Sequence, residues 1–469
     1  LLGEFVHQDV HGAESIATQR TRFQKAITLA TGTSLATRGT AILAAYDDAM
    51  TSGSLTDSHT WVNSGKIVIE GGNTSLTNTY THHGTPTKQV SINTGEVIFQ
   101  PYRTTGGQEY KKYTAVFVIS NDTSAQTENI KYNGPTGKIK SYTMNAVGFV
   151  IDPARNRKVY MVNRGDFEFY GESSAGIYVK RLSDVNLQTV TKNFVFNTVD
   201  NKVTTGEFKP IKIFGDKSIG YYNVPSNGNS TTTGNFAVDI GAAGKGNQNF
   251  STTAVSNKTA GENITDLNIN PSGGNSGKNT NIEGSFGILS DIAMNLASHQ
   301  IRIYDKTERN VGVYPNKNVL LNIGGGNIEL NGGTGKTSKD NIGIYVDGKG
   351  AVKSTGDVKV NGGVGNLAIF AVGSSAALPS GATAHVTVRN IEGTNTKNSV
   401  LVYGKAGAKI VATGGLTMTG ATVEADATVA NKKDTGAAFA EGKGTEITIN
   451  RTALSATENI SITGTELKD

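Results

Sequence analysis

A short motif recurs along most of the chain: a glycine or small residue, an aliphatic residue and an aromatic residue within one short strand. Its clearest copy is Gly343-Ile344-Tyr345, and a second short strand follows at residues 357–360. From Gly287 onward the copies are spaced by 25, 31, 25, 33 and 36 residues. A unit of this length cannot bury its own apolar face, so neighbouring copies must cover one another. The copies are Gly176-Ile177-Tyr178, Gly220-Tyr221-Tyr222, Gly287-Ile288-Leu289, Gly312-Val313-Tyr314, Gly343-Ile344-Tyr345, Ala368-Ile369-Phe370, Leu401-Val402-Tyr403 and Ala437-Ala438-Phe439.

A second element marks the corners between strands. It has the form Asn-x-Gly-x-apolar-x-apolar and begins at Asn63, Asn93 and Asn163, with Ser354 replacing Asn in a fourth copy. Asn and Gly suit corners at which the backbone needs positive φ. The alternation that follows places one face of the strand inward. The two elements together predict an all-β fold, a right-handed parallel β-helix in which successive coils stack into a rod.

The composition agrees with a repeat protein and excludes several classes of site. The chain has 469 residues, with 58 glycines, 9 prolines and no cysteine. The lack of cysteine excludes Cys nucleophiles, Cys-ligated zinc and disulfides, and it suits a chain that crosses a membrane unfolded. The sequence has no signal peptide, transmembrane helix or barrel-like terminal segment, so we expect a fragment of a longer protein.

Patterning along the chain predicts three regions. Residues 1–53 form a helical excursion or cap on the solenoid, with helices over 13–31 and 40–50. The other two are irregular β-helix coils with basic, aromatic-rich insertions over residues 54–162, and a regular β-helix over 163–469 with a long Asn/Ser/Gly-rich loop around 225–284. Two pairs chosen as inward-facing are Val386 with Val388 and Leu416 with Met418.

Aromatic, histidine and basic residues concentrate in one part of the chain. Residues 101–164 carry ten Lys or Arg against four acids, a balance of +6 that exceeds the net charge of +5 for the whole chain. Such a segment favours anionic glycans or acidic proteins, and the alternative is an ordinary solvated surface. Aromatic rings beside polar groups predict a glycan- or protein-binding surface, although some of them could fill the core. The candidate ligand-binding residues are Trp61, Tyr80, His82, His83, Tyr102, Arg103, Tyr110, Lys111, Lys112 and Tyr113.

Other motifs give no complete site. Arg164-Gly165-Asp166 matches an integrin-type tripeptide, but it aligns with the repeated corner and precedes two predicted core residues. Gly335-Lys336-Thr337 lacks the upstream glycine of a phosphate loop, because position 330 is leucine. The pairs His7/His11 and His82/His83 lack further ligands, so no metal site is predicted.

No catalytic residue is predicted either. Polysaccharide-cleaving enzymes need paired carboxylates, and Asp47, Asp48 and Asp291 are not in register with the repeat. We therefore expect a protein that is not an enzyme and has no cofactor. A secreted β-helix polysaccharide lyase or hydrolase remains the alternative.

The repeats resemble a known family of surface proteins. The Asn-x-Gly turns, the strands at 175–179 and 341–346 and the turn Asp347-Gly348-Lys349-Gly350 are similar to passenger regions of large fusobacterial autotransporter adhesins. These are type V secreted outer-membrane proteins, with arginine-inhibitable and galactose-inhibitable members. The resemblance covers residues 60–469.

The resemblance implies a surface-exposed, non-catalytic adhesin at the cell outer membrane, anchored through a C-terminal barrel that this fragment lacks. Its implied partners are host cell-surface glycans of the galactose/N-acetylgalactosamine type, host receptor proteins such as TIGIT, and other bacterial cells. Nucleic acid is not an expected partner, and the expected state is a monomer. No ligand-binding residue can be transferred from the family, and a passive stalk spacer is a further alternative.

Overall fold

The structure is a computed structural model, and part of the chain is described by it. The described residues are 128–142, 144–152, 158–180, 183–188, 207–225, 231–247, 280–335, 337–423 and 435–450, together with strand segments 28–29, 34–38, 58–63, 66–70, 74–78, 88–100, 114–119 and 452–453. Every regular element in them is a β-strand. These strands belong to two compact units, which divide strand β18 (Thr231–Ile240) between Gly234 and Asn235.

Unit 1 consists of three ladders of parallel strands, and each coil that is described completely contributes one strand to each ladder. The first ladder contains β1 (Thr28–Leu29), β3 (Ser58–Asn63), β6 (Lys88–Asn93), β9 (Glu128–Asn133), β12 (Lys158–Asn163), β15 (Asp184–Leu187) and the first part of β18. The second contains β2 (Ser34–Arg38), β4 (Lys66–Glu70), β7 (Glu96–Gln100), β10 (Lys138–Ser141) and β13 (Asp166–Phe169). The third contains β5 (Thr74–Asn78), β8 (Thr114–Ile119), β11 (Ala146–Ile151) and β14 (Ala175–Val179).

Unit 2 repeats this arrangement. Its second ladder contains the last two residues of β16 (Ile211–Ile213), the second part of β18, β22 (Ser298–Ile303), β29 (Asp357–Gly362) and the second parts of β25 (Leu320–Gly333), β31 (Val386–Thr394) and β33 (Lys409–Thr419). Its third contains β17 (Ile219–Asn223), β20 (Phe286–Ser290), β24 (Val311–Pro315), β27 (Ile342–Asp347), β30 (Leu367–Val372), β32 (Val400–Lys405) and β34 (Gly436–Glu441).

The remaining strands of unit 2 complete its coils. The first ladder contains β21 (Met294–Asn295), β28 (Ala351–Ser354), β35 (Glu446–Ile449) and the first parts of β25, β31 and β33. A short ladder at one corner contains β19 (Ile282–Glu283), β23 (Thr307–Glu308) and β26 (Ser338–Lys339). One strand, β36 (Thr452–Ala453), pairs antiparallel with β35.

The core of each unit is a set of inward rows, in which one residue per coil lies on the equivalent residue of the next. In unit 2 the row Ile301, Ile328 and Val358 runs through paired Cα positions, and each residue is at most 1% exposed. In unit 1 the row Val97, Ile139 and Phe167 is fully buried. Stacking therefore removes apolar surface that a single coil would leave in water, at about 25 cal/mol per Å².

The glycine of the repeated motif is required by close approach of the next coil. A Cβ added to Gly312 would lie 2.4 Å from the carbonyl oxygen of Gly343 and 3.2 Å from Ile328. Gly220, Gly287 and Gly343 have the same kind of contact. The motif is therefore a packing signal, since only a residue without a side chain, or with a very small one, fits between stacked coils.

Buried asparagines form ladders at the corners. Asn93 Nδ2 donates to Asn133 Oδ1 at 2.9 Å, and Asn133 Nδ2 donates to Asn163 Oδ1 at 2.8 Å. In unit 2, Asn310 Nδ2 donates to Asn341 Oδ1 at 3.0 Å. Each amide satisfies its neighbour and nearby backbone groups, which is what burial of polar side chains requires.

The predicted parallel β-helix is confirmed, and two local predictions are wrong. Thr28–Leu29 was predicted as the end of a helix, yet it is strand β1, because it pairs with Val62 and Asn63 of the next coil. The predicted loop at 225–284 contains the ten-residue strand β18, held by β15 and β22. The rest of both predicted helices, and residues 248–279 of that loop, lie outside the described residues.

Within the described residues, no helix has the length and apolar character needed to cross a bilayer.

Candidate interaction surface

The predicted ligand-binding residues fall almost entirely outside the described residues. Trp61 belongs to β3, and its Cα pairs with that of Ser91 in the next coil. The predicted surface therefore stays a prediction, with only the backbone of Trp61 placed. The other members, Tyr80, His82, His83, Tyr102, Arg103, Tyr110, Lys111, Lys112 and Tyr113, lie outside the described residues.

The described lysines of the basic segment alternate with acids. Lys138 pairs in register with Glu96 and Asp166, and Lys158 pairs with Glu128 and Asp184. Lys140 Nζ lies 3.8 Å from a carboxylate oxygen of Glu168, and Lys131 is buried. Opposite charges on adjacent strands largely cancel. The described part of this segment is therefore not a uniform basic patch.

The Arg164-Gly165-Asp166 tripeptide lies at the corner between β12 and β13, with its arginine buried and its aspartate partly exposed. Arg164 is 6% exposed, and its guanidinium carbon lies 5.1 Å from the ring centre of Phe208. The carboxylate of Asp166 accepts a hydrogen bond of 3.4 Å from Lys209 Nζ. The interpretation of the tripeptide as a coil corner is confirmed.

Described histidines serve the packing of unit 2. His299 is 4% exposed, its Nδ1 lies 2.9 Å from the carbonyl oxygen of Ile323, and burial lowers its pKa. His385 accepts a hydrogen bond of 3.0 Å from the backbone N–H of Lys409. Among the residues that the structure describes, no group of three or more His, Cys, Asp or Glu could hold a metal ion. His7, His11, His82 and His83 lie outside them.

A row of alternating charges follows the outer face of the second ladder in unit 2. The row runs through Asp239, Arg302, Glu329, Lys359 and Glu392 in paired positions. Arg302 donates to both carboxylate oxygens of Asp239, at 2.7 and 2.8 Å. Burial raises the pKa of Asp239, and the Arg302 guanidinium opposes that rise. The geometry is that of a structural ion-pair row, because each charge faces an opposite one.

The third ladder of unit 2 carries a different outer face, a continuous stack of large apolar side chains. Consecutive ring centres are separated by 5.2 Å (Tyr314 and Tyr345), 5.5 Å (Tyr345 and Phe370), 5.1 Å (Phe370 and Tyr403) and 5.4 Å (Tyr403 and Phe439). The rings are half-buried, and Phe439 is 41% exposed. We call this the aromatic row; its members are Tyr222, Leu289, Tyr314, Tyr345, Phe370, Tyr403 and Phe439.

A second outward row lies beside it. Three residues before each of the first six members lies another large apolar residue. The two residues between them are buried in every copy. The two rows together form what we call the aromatic ridge. With seven strands at ~4.8 Å spacing, the ridge is about 29 Å long. The second row contains the half-buried Ile219, Phe286, Ile342, Leu367 and Val400, with the buried Val311 between Phe286 and Ile342.

Polar groups fix the orientation of the tyrosines in the ridge. Tyr314 OH donates to Asp347 at 2.7 Å, and Tyr403 OH donates to Glu441. The bond to Glu441 and partial burial raise the pKa of Tyr403 to about 12, so the phenol stays neutral. Lys405 Nζ lies 5.5 Å from the Phe370 ring centre. The surface is therefore amphipathic, with aromatic edges flanked by charged groups.

Sequence reasoning used these aromatics only as markers of the repeat and did not identify their exposed face. The signal was present, since the third motif position holds a large apolar residue in every copy. An inward position at that site would need smaller residues, because the Gly-aliphatic pair already fills the core.

Comparison of the chain with protein-family models, curated proteins and solved structures found no match.

Proposed function

We propose that the chain is a non-catalytic, surface-exposed region of a bacterial adhesin, and that the aromatic ridge is its binding surface. The observation that carries this proposal is the ridge itself, a continuous line of half-buried aromatic and aliphatic side chains on the outside of unit 2. Contiguous exposed apolar surface rimmed by polar groups marks interaction sites on soluble proteins. Tyrosine and phenylalanine are enriched in protein interfaces.

The stacking geometry favours a protein as the partner, such as a host receptor. Phe370 and Tyr403 are stacked, only 12° from parallel, and Tyr345 is tilted by 37° and 34° against its two neighbours in the row. A sugar ring stacks on an aromatic face, so the stacked pair offers it little contact. Their edges and the flanking charges offer a protein surface both apolar and polar contacts.

The outer carboxylates suit a scaffold better than a polysaccharide-cleaving enzyme. Asp291 lies 2.8 Å from Lys317 Nζ, and Asp357 accepts two hydrogen bonds from Arg389 at 2.8 and 2.7 Å. The arginine lowers the pKa of Asp357. Glycoside hydrolysis needs one carboxyl with a raised pKa facing a second across the substrate. Carboxylates tied to cations on their own sheet favour the non-catalytic proposal.

The test compares binding of the full chain and two variants to host cells and to other bacteria. Tyr345→Ser with Phe370→Ser removes the centre of the ridge, and we expect the affinity to fall roughly tenfold or more. Asn331→Ser with Asn361→Ser is the matched control, because this exposed hydrogen-bonded pair lies on the second ladder of the same coils. Unchanged binding by the ridge variant would refute the proposed surface.

Two further measurements separate the alternatives. The first is binding by a triple variant, Lys111→Ala with Lys112→Ala and Tyr113→Ala. If this variant loses binding and the ridge variant does not, the binding surface lies in the segment predicted from the sequence. A glycan array then tests galactose and N-acetylgalactosamine ligands. Wild-type chain that binds no cell would favour a passive spacer, and shortened glycan products would favour an enzyme.

A further inference from the structure

Arg164 is a buried cation, and two of its three nitrogens have no hydrogen-bonding partner among the described residues. It follows β12 at the corner of unit 1 and is 6% exposed. Its Nε and Nη1 atoms are buried and donate no hydrogen bond to a carboxylate, carbonyl or hydroxyl of the described residues. These nitrogens belong to different edges of the guanidinium, so both edges have donors available. By contrast, Arg302 in unit 2 uses Nε and Nη2 to hold a carboxylate.

The surroundings of Arg164 are aromatic and contain a second unused donor. The guanidinium carbon lies 6.0 Å from the ring centre of Tyr132 and 5.1 Å from that of Phe208. The hydroxyl of Tyr132 is buried and likewise has no partner in the described part of the chain. Burial raises the pKa of Tyr132 to about 12, so this hydroxyl keeps its proton. The site therefore combines a fixed positive charge with a neutral O–H donor.

The neighbouring acid does not neutralise Arg164. Asp166, two residues further on, accepts its hydrogen bond from Lys209 at 3.4 Å. Lys209 is itself fixed beside the corner, because its backbone N–H donates to the Asn163 carbonyl at 2.9 Å and its own carbonyl accepts from Asn163 Nδ2 at 3.0 Å. The carboxylate closest in sequence is thus engaged elsewhere.

A buried charge with unsatisfied donors is strongly unfavourable unless something pairs with it. Native proteins leave few buried polar groups without partners, and an ion or water commonly explains those that remain. Guanidinium is the side chain best suited to carboxylate, sulfate or phosphate oxygens. We propose that Arg164 and Tyr132 form a binding site for a small oxyanion, a carboxylate or sulfate group, with Phe208 as its outer wall.

The exposure of Phe208 supports a site that solutes can reach. Phe208 is 39% exposed although its ring lies against the guanidinium. A partly exposed ring against a buried cation places the guanidinium one side chain away from solvent on that side. The site lies in unit 1 and shares no residue with the aromatic ridge. The oxyanion proposal is therefore tested independently of the adhesin proposal.

The experiment measures thermal unfolding of the full chain while sodium sulfate or sodium acetate replaces sodium chloride at constant ionic strength. Sulfate stabilises proteins generally by exclusion from their surface, and that part does not saturate. Specific binding adds a saturating rise of the wild-type Tm, which we expect to be roughly 5 °C at saturation. The acetate and sulfate arms identify whether a planar carboxylate or a tetrahedral anion fits better.

Three variants define the result. Arg164→Gln should lose the saturating part, Tyr132→Phe should weaken the affinity several-fold, and Arg309→Gln should behave as wild type. Arg309 is the control because it is an exposed arginine that already pairs with Glu283. Equilibrium dialysis with radiolabelled sulfate gives the stoichiometry, expected to be one. A saturating response that survives in Arg164→Gln, or its absence in the wild type with both anions, would overturn the proposal.

Discussion

Lys131 Nζ donates a hydrogen bond of 3.0 Å to Ser91 Oγ in the interior of unit 1, one coil away. Lys131 is 1% exposed and Ser91 is 2% exposed. The next coil places Met161 at the paired position, so a lysine occupies a core row otherwise suited to apolar residues. Burial lowers the pKa of this amine to about 7. The protein therefore carries a titratable group inside its core.

This lysine makes stability depend on pH. In the unfolded chain its pKa is near 10.5, and in the folded chain it is about 7. Between those values the unfolded state binds a proton that the folded state does not, so stability rises with pH over this window. Below pH 7 the full destabilisation is present, on the order of 5 kcal/mol.

Lys131→Met should therefore raise the free energy of unfolding at pH 6 by several kcal/mol and remove the rise between pH 7 and 10. Denaturant unfolding at a series of pH values measures both effects. Lys138→Met, at an exposed position of the next strand, is the control and should leave the pH profile unchanged. Parallel profiles for wild type and Lys131→Met would contradict burial of the amine.

The asparagine ladder of unit 1 gives a second prediction. Asn133→Ala leaves Asn163 Oδ1 without its donor in a buried corner, while Asn93 Nδ2 keeps its bond to the Gly95 carbonyl. A buried polar group left unpaired costs about 1–3 kcal/mol, and we expect a loss of that size. Asn361→Ala removes an exposed asparagine pair and should cost little. Equal losses of unfolding free energy would argue against a buried ladder.

The motif glycine gives a third prediction. Gly312→Ala places a methyl group 2.4 Å from the Gly343 carbonyl oxygen, so the two coils must move apart. We expect a loss of about 1–3 kcal/mol from overpacking. Gly436→Ala, where an added Cβ meets nothing within 4 Å, should be neutral or slightly stabilising. A shift in Tm of the same size for both variants would mean that coil spacing does not require glycine at this position.

The buried ion pair gives a fourth. Arg302→Met leaves the Asp239 carboxylate, whose side chain is 4% exposed, without its bidentate partner. Breaking such a pair costs roughly 3–5 kcal/mol. Arg309→Met breaks an exposed pair with Glu283 and should cost under about 1 kcal/mol. Chemical denaturation distinguishes the two, and a small effect at Arg302 would place Asp239 in water.

Much of the fold could be predicted because the glycine-aliphatic-aromatic motif recurs once per coil in the sequence. Val386 and Val388 were predicted to face inward, and both are fully buried. Leu416 was predicted to be equally buried, yet it is half-exposed. The reason is that β35 pairs only with the first part of β33, so no described strand covers Leu416.

The buried charges could not be predicted from local alternation. In β9 the apolar residues Ile130 and Tyr132 suggest that Lys131 faces outward, and it was counted with the basic surface segment. Lys131 instead lies in an inward row, where it is paired with the buried Met161 of the next coil. Burial of Arg164 likewise involves Phe208, which lies 44 residues further along the chain. Irregular coil lengths hide such contacts from a single sequence.

The stacked coils themselves are tested most directly by distances between pairs of spin labels on the aromatic row. The chain has no cysteine, so labels attach only where cysteines are introduced. Labels at Tyr222→Cys and Tyr403→Cys are five strands apart, and a label moved from Tyr403 to Phe439 is six strands from Tyr222. Stacking at ~4.8 Å per strand predicts about 24 and 29 Å between the labelled backbone positions. Distances that do not increase by about 5 Å per added coil would contradict a continuous ridge.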